Sequence, residues 1–182
     1  MNILLHICCG NCAIYPVQQL REQNHHLTGY FYNHNIHLYQ EYSRRLETTR
    51  EYATKVDLAL QVDDQYLLEE FLANVAENPE QRCAYCYRSR LTKAAQKAAE
   101  GGFEAFSTTL LYSRYQNQEA IVEFGHELAR DYNLNFVGQD FRPGWNEGIR
   151  ISKELNLYRQ QYCGCIYSEK DRYHPREKTK AS

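Results

Sequence analysis

Seven cysteines, gathered in three short groups, constrain this chain more than any other feature. They form the patterns C-C-x-x-C, C-x-x-C and C-x-C, at Cys8, Cys9, Cys12, Cys83, Cys86, Cys163 and Cys165. Such spacing lets one turn of backbone present two thiolates to the same metal ion or cluster. A single free cysteine is usually a small buried apolar residue, but burial gives no reason for gaps of two residues. The pattern therefore predicts a metal or redox site.

The composition is that of an ordinary globular protein, with 43% hydrophobic and 24% charged residues in 182. We expect one α/β domain over residues 1–174 and a polar tail over residues 175–182. The first residues enter an apolar strand without the features of a signal peptide, and no run of about 20 apolar residues follows. We therefore expect a cytoplasmic protein without a membrane segment. Because the cytoplasm is reducing, an odd number of cysteines there favours metal binding over disulfides.

Apolar periodicity predicts alternating strands and helices, which is typical of a parallel sheet covered by helices. Strands are predicted at 3–7, 27–32, 58–62, 103–109 and 135–138. Helices are predicted after the first cysteine group, with Pro16 in the first turn, and at 38–55, 67–75, from Cys83 to Gly101, 121–132 and 149–157. The first two cysteine groups then lie near helix starts, whose free N–H groups stabilise thiolates. A G-x-G-x-x-G motif is absent, which disfavours a dinucleotide site.

The residues alone leave the metal open. Four cysteines could hold a [4Fe–4S] cluster, and the other three a second metal or a redox dithiol. A structural zinc site is the alternative, although adjacent Cys8 and Cys9 would be awkward ligands for one tetrahedral ion. The net charge of −2 gives no global attraction to nucleic acid, so any RNA contact would need a local patch. The 16 tyrosines include candidates for base stacking, although most are expected in the core.

Several longer motifs, in the same order along the chain, make it resemble the QueH family of epoxyqueuosine reductases. The matching pieces are 6–12 (HICCGNC), 31–37 (FYNHNIH), 41–45 (EYSRR), 82–86 (RCAYC) with Arg90-Leu91, 106–111 (FSTTLL), 140–142 (DFR) and 158–165 (YRQQYCGC). The resemblance implies a single HUP-like α/β domain with the cysteine-rich metal site at the carboxyl edge of the strands. It also implies reduction of epoxyqueuosine in tRNA to queuosine, without cobalamin, by a [4Fe–4S] cluster beside a further iron. The electron donor is not identified.

From this resemblance we expect all seven cysteines to act at the metal site. Cys8, Cys12, Cys83 and Cys86 are predicted to hold the cluster, and Cys9 with Cys163 or Cys165 to face the second iron. The alternative is that Cys163 and Cys165 form a dithiol that relays electrons. Removal of the epoxide oxygen also needs protons, for which the candidates are Tyr112, Tyr115, Asp140 and His37.

The expected partner is tRNA carrying epoxyqueuosine in its anticodon loop, where an unpaired base can be bound by stacking. The candidate tRNA-binding residues are arginines, namely Arg44, Arg45, Arg82, Arg88, Arg90, Arg114, Arg142 and Arg159. Two other functions are kept as alternatives. One is an RNA-binding module that is stabilised by zinc and lacks catalysis, and the other is a thiol oxidoreductase that uses its paired cysteines.

Overall fold

Five parallel strands form one sheet in the computed structural model, which describes residues 1–174. The strands are β1 (Asn2–His6), β2 (His26–Phe31), β3 (Ala59–Val62), β4 (Ala105–Thr108) and β5 (Asn135–Phe136), in the spatial order β3-β2-β1-β4-β5. The central strand β1 is fully buried from Ile3 to His6, as expected of a strand covered on both faces. The predicted α/β class, with a parallel sheet flanked by helices, is confirmed.

Seven α-helices connect and flank the strands in the described part of the chain. They are α1 (Gly10–Glu22), α2 (Tyr39–Lys55), α3 (Leu68–Val75), α4 (Arg82–Glu100), α5 (Gln118–Asp131), α6 (Trp145–Glu154) and α7 (Ile166–Tyr173). Short 3₁₀ turns lie at Pro79–Gln81, Thr109–Tyr112 and Arg142–Gly144. Helix α1 packs beside α2 and α6, and α4 packs beside α5 and against β1 and β4, with Leu91 and three alanines of α4 fully buried. None of the helices in residues 1–174 has the length and apolar character needed to cross a bilayer.

The strand order places a topological switch point between β1 and β4. The chain leaves β1 toward β2 on one side, and β4 lies on the other side of β1 with β5 beyond it. In such sheets the loops after the two central strands diverge, and they leave a crevice at the carboxyl end where ligands bind. The segment after β1 is the first cysteine group, and the segment after β4 begins at Thr109. The cysteines therefore lie at the position that the topology provides for a site.

The structure corrects several predicted boundaries. Helix α1 begins at Gly10, so Pro16 lies inside the helix instead of in its first turn. A proline at this position has no N–H for the carbonyl of Cys12, so the helix loses one internal hydrogen bond there. Helix α6 begins at Trp145, earlier than predicted, and helix α7 was not predicted. The predicted strands overran β4 and β5, and the predicted tail lies outside the described residues.

Candidate metal centre

The first cysteine group lies at the carboxyl end of β1, in the crevice of the switch point. Cys9 is the N-cap of α1, which confirms the predicted place beside a helix start. The Sγ atoms of Cys8, Cys9 and Cys12 all lie within 4.8 Å of one another, and those of Cys9 and Cys12 are 3.0 Å apart. Three sulfurs this close fit a shared metal ion or cluster, because thiolates are the usual ligands of zinc and of iron–sulfur clusters.

A glycine holds the start of α1 close to α2. A Cβ added at Gly10 would lie 2.7 Å from the carbonyl oxygen of Thr48, which is backbone and has little room to move. The residue that follows Cys9 therefore has to be small. This contact positions the helix start that carries Cys9 and Cys12.

Thr109 connects the two sides of the switch point through Cys8. The backbone N–H of Cys8 donates to Thr109 Oγ1 at 3.0 Å, and the Thr109 hydroxyl donates to Cys8 Sγ at 3.3 Å. Hydrogen bonds from the thiols of Cys12 and Cys9, with that of Thr109, hold the pKa of Cys8 well below its ordinary value despite burial. The bond to Cys8 raises the pKa of Cys12 in turn. Cys8 is therefore the member of this group that most readily carries negative charge.

Gln160 brings the segment before the third cysteine group onto the first group. Its side-chain amide donates to Cys9 Sγ at 3.1 Å and to Cys12 Sγ at 3.4 Å. Asn11 holds it there, because its amide donates to Gln160 Oε1 at 3.2 Å and to the backbone carbonyl of Tyr158. Amide donors on ligand sulfurs stabilise thiolates and adjust the properties of a bound metal.

The second cysteine group lies in the first turns of α4 beside a buried arginine. Cys86 is buried and Cys83 is exposed. Arg90, one turn further along the same helix face, donates from Nη2 to Cys86 Sγ at 3.0 Å and from Nη1 to Asn33 Oδ1 at 3.3 Å. Burial raises the pKa of the Cys86 thiol to about 12, and the charge of Arg90 opposes that rise. The arginine thus favours a thiolate at a position where burial disfavours one.

Arg90 has no carboxylate partner within 4.0 Å among residues 1–174, although its side chain is almost fully buried. Burial alone would lower its pKa, but the sulfurs of Cys86, Cys8 and Cys163 raise it above the ordinary value. One cysteine from each group therefore interacts electrostatically with the same cation. A buried unpaired cation is costly unless anions are close, so this surrounding fits a site of thiolate ligands.

Arg45 organises the third cysteine group. It donates from Nη1 to the carbonyl of Cys163 at 2.7 Å and from Nη2 to the carbonyl of Tyr162 at 2.9 Å. Its Nε lies 2.7 Å from a carboxylate oxygen of Glu41, which neutralises its charge. Gly164, between the two cysteines, has a φ of +156° and packs against Arg45 and Asn35. Cys163 is exposed and accepts a hydrogen bond from an amide donor, whereas Cys165 is buried.

His37 anchors the same segment from the other side. Its backbone N–H donates to the carbonyl of Gly164 at 2.8 Å, and its Nδ1 accepts from the N–H of Ile166 at 3.3 Å. Its Nε2 donates to the carbonyl of His34 at 3.2 Å, and the backbone carbonyl of His37 accepts a hydrogen bond from the Tyr162 hydroxyl. Burial lowers the pKa of His37 to about 4. The ring is therefore neutral and both of its nitrogens are hydrogen-bonded, an arrangement that favours a positioning role for His37, and its predicted role as a proton donor stays a prediction.

His34 lies beside this region with both ring nitrogens lacking a hydrogen-bond partner among residues 1–174. It is 1% exposed, and its ring contacts the aromatic rings of Tyr32, Phe71 and Tyr85. Burial and the nearby charge of Arg90 lower its pKa to about 3. The aromatic surroundings thus keep this histidine neutral.

The sulfurs face a cavity of about 630 Å³. Cys8, Cys12 and Cys163 line it together with the two buried arginines, Arg45 and Arg90. The lining also includes the aromatic residues Tyr112, Tyr115 and Trp145. Such a volume is typical of a cleft for a ligand of small-molecule or nucleoside size. The structure thus brings residues of the first and third cysteine groups to one ligand-sized space.

Tyr112 and Asp140, two of the four candidates for proton delivery, differ in their surroundings. Tyr112 lines the cavity, is buried, and donates its hydroxyl to the carbonyl of Trp145 at 3.0 Å. Burial raises the pKa of Tyr112, so its hydroxyl keeps its proton at neutral pH. Asp140 is exposed, and two hydrogen bonds from the guanidinium of Arg142 lower its pKa. An ionised carboxylate is a poor proton donor, so the geometry favours Tyr112 over Asp140.

The candidate tRNA-binding arginines fall into two sets. Arg45 and Arg90 are each 2% exposed and bonded to internal groups, so they are less available for a phosphate contact than the exposed arginines. The others are exposed or half-buried on the surface, namely Arg44, Arg82, Arg88, Arg114, Arg142 and Arg159. Of these, Arg82, Arg88 and Arg142 form surface ion pairs. The interpretation of the surface set as tRNA ligands stays a prediction.

Sequence reasoning assigned no role to Thr109 or Gln160. Both lie inside motifs that carry the family resemblance, FSTTLL and YRQQYCGC, but the motifs alone did not indicate their hydrogen bonds to the cysteines. For Arg90, the signal was its spacing of four residues from Cys86, which puts both on one helix face. The same spacing relates Arg45 to Glu41.

The comparisons with known proteins agree on one family. A family model described as "Epoxyqueuosine reductase QueH" matches residues 3–171. A curated relative of that name from Dehalococcoides mccartyi is 37% identical over 172 residues, which cover 94% of this chain and 94% of the relative. Relatives of the same name from Thermotoga maritima and Streptococcus pyogenes are 34% and 33% identical, over 92% and 93% of this chain and 90% and 71% of their own lengths.

A solved structure supports the fold alone. It is described as a predicted subunit of tRNA methyltransferase from Methanocaldococcus jannaschii, and it aligns with a TM-score of 0.55 at 12% identity. The alignment covers 84% of this chain and 75% of the other. At this identity the likeness extends to the arrangement of strands and helices and carries no residue roles.

Proposed function

Since the chain belongs to the QueH family of epoxyqueuosine reductases, we propose that it converts epoxyqueuosine in tRNA to queuosine with a cysteine-bound [4Fe–4S] cluster and a second iron. The observation that carries the proposal is the convergence of Cys8, Cys9 and Cys12 within 4.8 Å at the switch point of the sheet. The reaction breaks two C–O bonds of the epoxide, forms an alkene and releases water. It consumes two electrons and two protons, so the site must supply both.

The metal centre would supply the electrons, one at a time, and a Lewis acid for the epoxide oxygen. We propose Cys8, Cys12, Cys83 and Cys86 as cluster ligands, and Cys9 with Cys163 or Cys165 as ligands of the second iron. The hydrogen bond that Cys8 Sγ accepts from the Thr109 hydroxyl supports its part, because such donors stabilise the thiolate that a metal needs as ligand. A Cys163–Cys165 dithiol that relays electrons is the alternative for the third group. No cobalamin is needed in this proposal.

The remaining residues prepare the site for this chemistry. Arg90 supplies positive charge beside the sulfurs, and Gln160 donates hydrogen bonds to two of them. Arg45 fixes the backbone on which Cys163 stands. We propose Tyr112 as the group that delivers a proton, because its protonated hydroxyl lies in the wall of the same cavity. Solvent can supply the second proton through the open side of the cavity.

The tRNA would be held by arginines on the surface around the cavity. Arg159 lines the cavity directly, and the guanidinium of Arg44 lies 5.6 Å from the ring centroid of Tyr158, the residue before Arg159. Arg82, Arg114 and Arg142 complete the proposed set. Phosphate contacts of this kind position an RNA without reading its sequence.

Anaerobic purification with assay on tRNA tests the proposal. We expect broad visible absorbance, more than four irons per chain, and formation of queuosine from tRNA that contains epoxyqueuosine. Protein reconstituted with zinc in place of iron and sulfide is the control, and it should be colourless and inactive. A protein that stays colourless after reconstitution and binds only zinc would contradict the proposal and favour the zinc-stabilised module. Turnover that persists after complete removal of metal would favour the thiol oxidoreductase.

Single replacements then test the ligand assignment. Cys83→Ser and Cys86→Ser should each lose the visible absorbance. Cys163→Ser should keep the visible absorbance but abolish turnover. A full cluster in both α4 variants would contradict the assignment of Cys83 and Cys86.

A further inference from the structure

Trp145 is the one tryptophan of the chain, and it stands in an aromatic wall of the cavity. Its ring stacks on that of Tyr112 with 5.2 Å between centroids, and the ring of Tyr115 meets it edge to face at 5.9 Å. We call these three residues the aromatic wall. The three rings increase in exposure from buried Tyr112 through half-buried Trp145 to Tyr115.

Tyr115 is 84% exposed, so burial in the core does not account for its position. It follows the 3₁₀ turn Thr109–Tyr112 that leaves the switch point, and its ring stays at the cavity because it contacts Trp145. An exposed ring that is held in a cavity wall offers a flat surface to a ligand. Nucleobases bind such rings by stacking, whatever their sequence, because every base has a π face.

The charges around the wall suit an RNA ligand. The guanidinium of Arg114 lies 5.6 Å from the centroid of the Trp145 ring. Apart from the internally bonded Arg45 and Arg90, the cavity lining contains Arg159 and Arg172 against one aspartate, Asp171, in a chain whose net charge is −2. Aromatic rings combined with local positive charge are the usual means of binding single-stranded nucleic acid.

The wall and the sulfurs bound the same space. Cys8 and Cys12 line the cavity with the three aromatic residues. Gln116, next to Tyr115 in sequence, donates from its side-chain amide to Cys163 Sγ at 3.2 Å. A base that stacks on the wall is therefore held in the cavity where the proposed reduction takes place.

We propose that the aromatic wall and Arg114 form a stacking subsite for an unpaired RNA base. Tyr115 contacts the base directly, Trp145 holds the Tyr115 ring in place, and Tyr112 packs on Trp145. This inference rests on the proposed action on tRNA and adds the side chains that hold the base. It assigns to the Tyr115 ring, and not to its hydroxyl, the role of this residue.

The tryptophan provides a local signal for the test. The fluorescence of Trp145 is followed, in protein purified without oxygen, during titration with an RNA hairpin that has an unpaired loop. A fully paired duplex of the same stem is the RNA control. We expect saturable quenching by the hairpin and little change with the duplex.

Three variants separate stacking from other roles of Tyr115. Tyr115→Ala should weaken hairpin binding roughly 5- to 100-fold, the range of stacking by one aromatic ring. Tyr115→Phe keeps the ring and should bind within about 2-fold of the unaltered protein. Tyr39→Ala removes a tyrosine that is 60% exposed at the start of α2 and should bind like the unaltered protein.

Binding is measured in parallel by anisotropy of a labelled hairpin, so that the subsite and the proposed function can fail separately. Hairpin binding with unchanged Trp145 emission, or equal affinity of Tyr115→Ala, would overturn the subsite. So would absence of any hairpin binding. In each case the assay of queuosine formation reports independently on the proposed function.

Discussion

Replacement of Arg90 should weaken metal binding without weakening the fold. The Arg90 guanidinium is 2% exposed, lies 3.0 Å from Cys86 Sγ, and interacts electrostatically with one cysteine of each group. In a protein that binds no metal, a cation at this place is a cost, since no carboxylate within residues 1–174 neutralises it. Once the sulfurs are thiolates, the same charge is favourable. The two effects of one side chain therefore have opposite signs.

The structure gives the size of the favourable effect. Two unit charges 3.0 Å apart attract by about 5.5 kcal/mol at an effective dielectric constant of about 20. Replacement of Arg90 also removes the cost of burying its charge, which offsets part of this attraction. The net loss of binding free energy is therefore about 1.5–3 kcal/mol, the usual contribution of a hydrogen bond to a charged group. We therefore expect Arg90→Met to weaken metal binding about 10- to 100-fold. The free energy of unfolding of the metal-free protein should fall by less than about 1 kcal/mol, or rise.

The assay is a titration of metal-free protein with cobalt(II) against a chelator, without oxygen, together with urea unfolding of the same sample. Arg88→Met is the matched control, because Arg88 lies on the same helix, is exposed, and pairs with Glu127 at 2.9 Å. Its loss should leave the affinity for cobalt unchanged. If Arg90→Met binds cobalt as tightly as the unaltered protein and loses several kcal/mol of stability, the residue is structural and the reasoning is refuted.

Three further changes test the positioning of the site. Gly10→Ala should cost about 1–3 kcal/mol in urea unfolding and weaken cobalt binding, because its Cβ would lie 2.7 Å from the Thr48 carbonyl oxygen; unchanged unfolding would contradict that contact. Gly164 has a φ of +156°, and a Cβ added there would lie 3.1 Å from Asn35 Nδ2. Gly164→Ala should therefore lower queuosine formation at least tenfold, while the free energy of unfolding falls by only about 1–2 kcal/mol; full activity would contradict a fixed backbone at the third cysteine group. His34 has its pKa lowered from 6.5 to about 3, so its neutral form is retained in the fold while the unfolded chain takes up protons below about pH 6.5. His34 should therefore contribute about 2 kcal/mol to the fall in the free energy of unfolding of metal-free protein between pH 7 and pH 5, beside the contributions of His6 and His37, whose pKa values burial also lowers to about 4. His34→Phe should reduce the total fall by about that amount; an identical pH profile in this variant would contradict it.

Local periodicity was sufficient to predict the fold class and the place of the first two cysteine groups. Alternating strands and helices follow from apolar spacing, and a loop between β1 and α1 must lie at the carboxyl end of a parallel sheet. The start of α1 was wrong because Pro16 was interpreted as a helix start, whereas the helix begins at Gly10. At this start the backbone of Gly10 lies close to Thr48 of α2, which is distant in sequence. Tertiary contacts of this kind leave no local pattern.

The buried arginines show the same limit for the site. A charged residue is expected on the surface from its composition alone, so Arg45 and Arg90 were placed among the RNA ligands. Their burial depends on partners that the fold brings from elsewhere. Glu41 and two backbone carbonyls accept from Arg45, whereas a cysteine sulfur and Asn33 accept from Arg90. A sequence pattern can show that Glu41 and Arg45 are one turn apart, but not that both face inward.

The difference between these two arginines bears on the charge of the proposed metal centre. Arg45 is neutralised by Glu41, so it contributes hydrogen bonds to the third cysteine group and little net charge. Arg90 keeps its charge and lies where Cys86, Cys8 and Cys163 all contribute to its pKa. Thiolate ligands make a metal centre strongly anionic, and one uncompensated buried cation lowers the cost of adding an electron to it. The sequence separates these cysteines by more than seventy residues at each step, and the order β3-β2-β1-β4-β5 is what places them around a single positive charge.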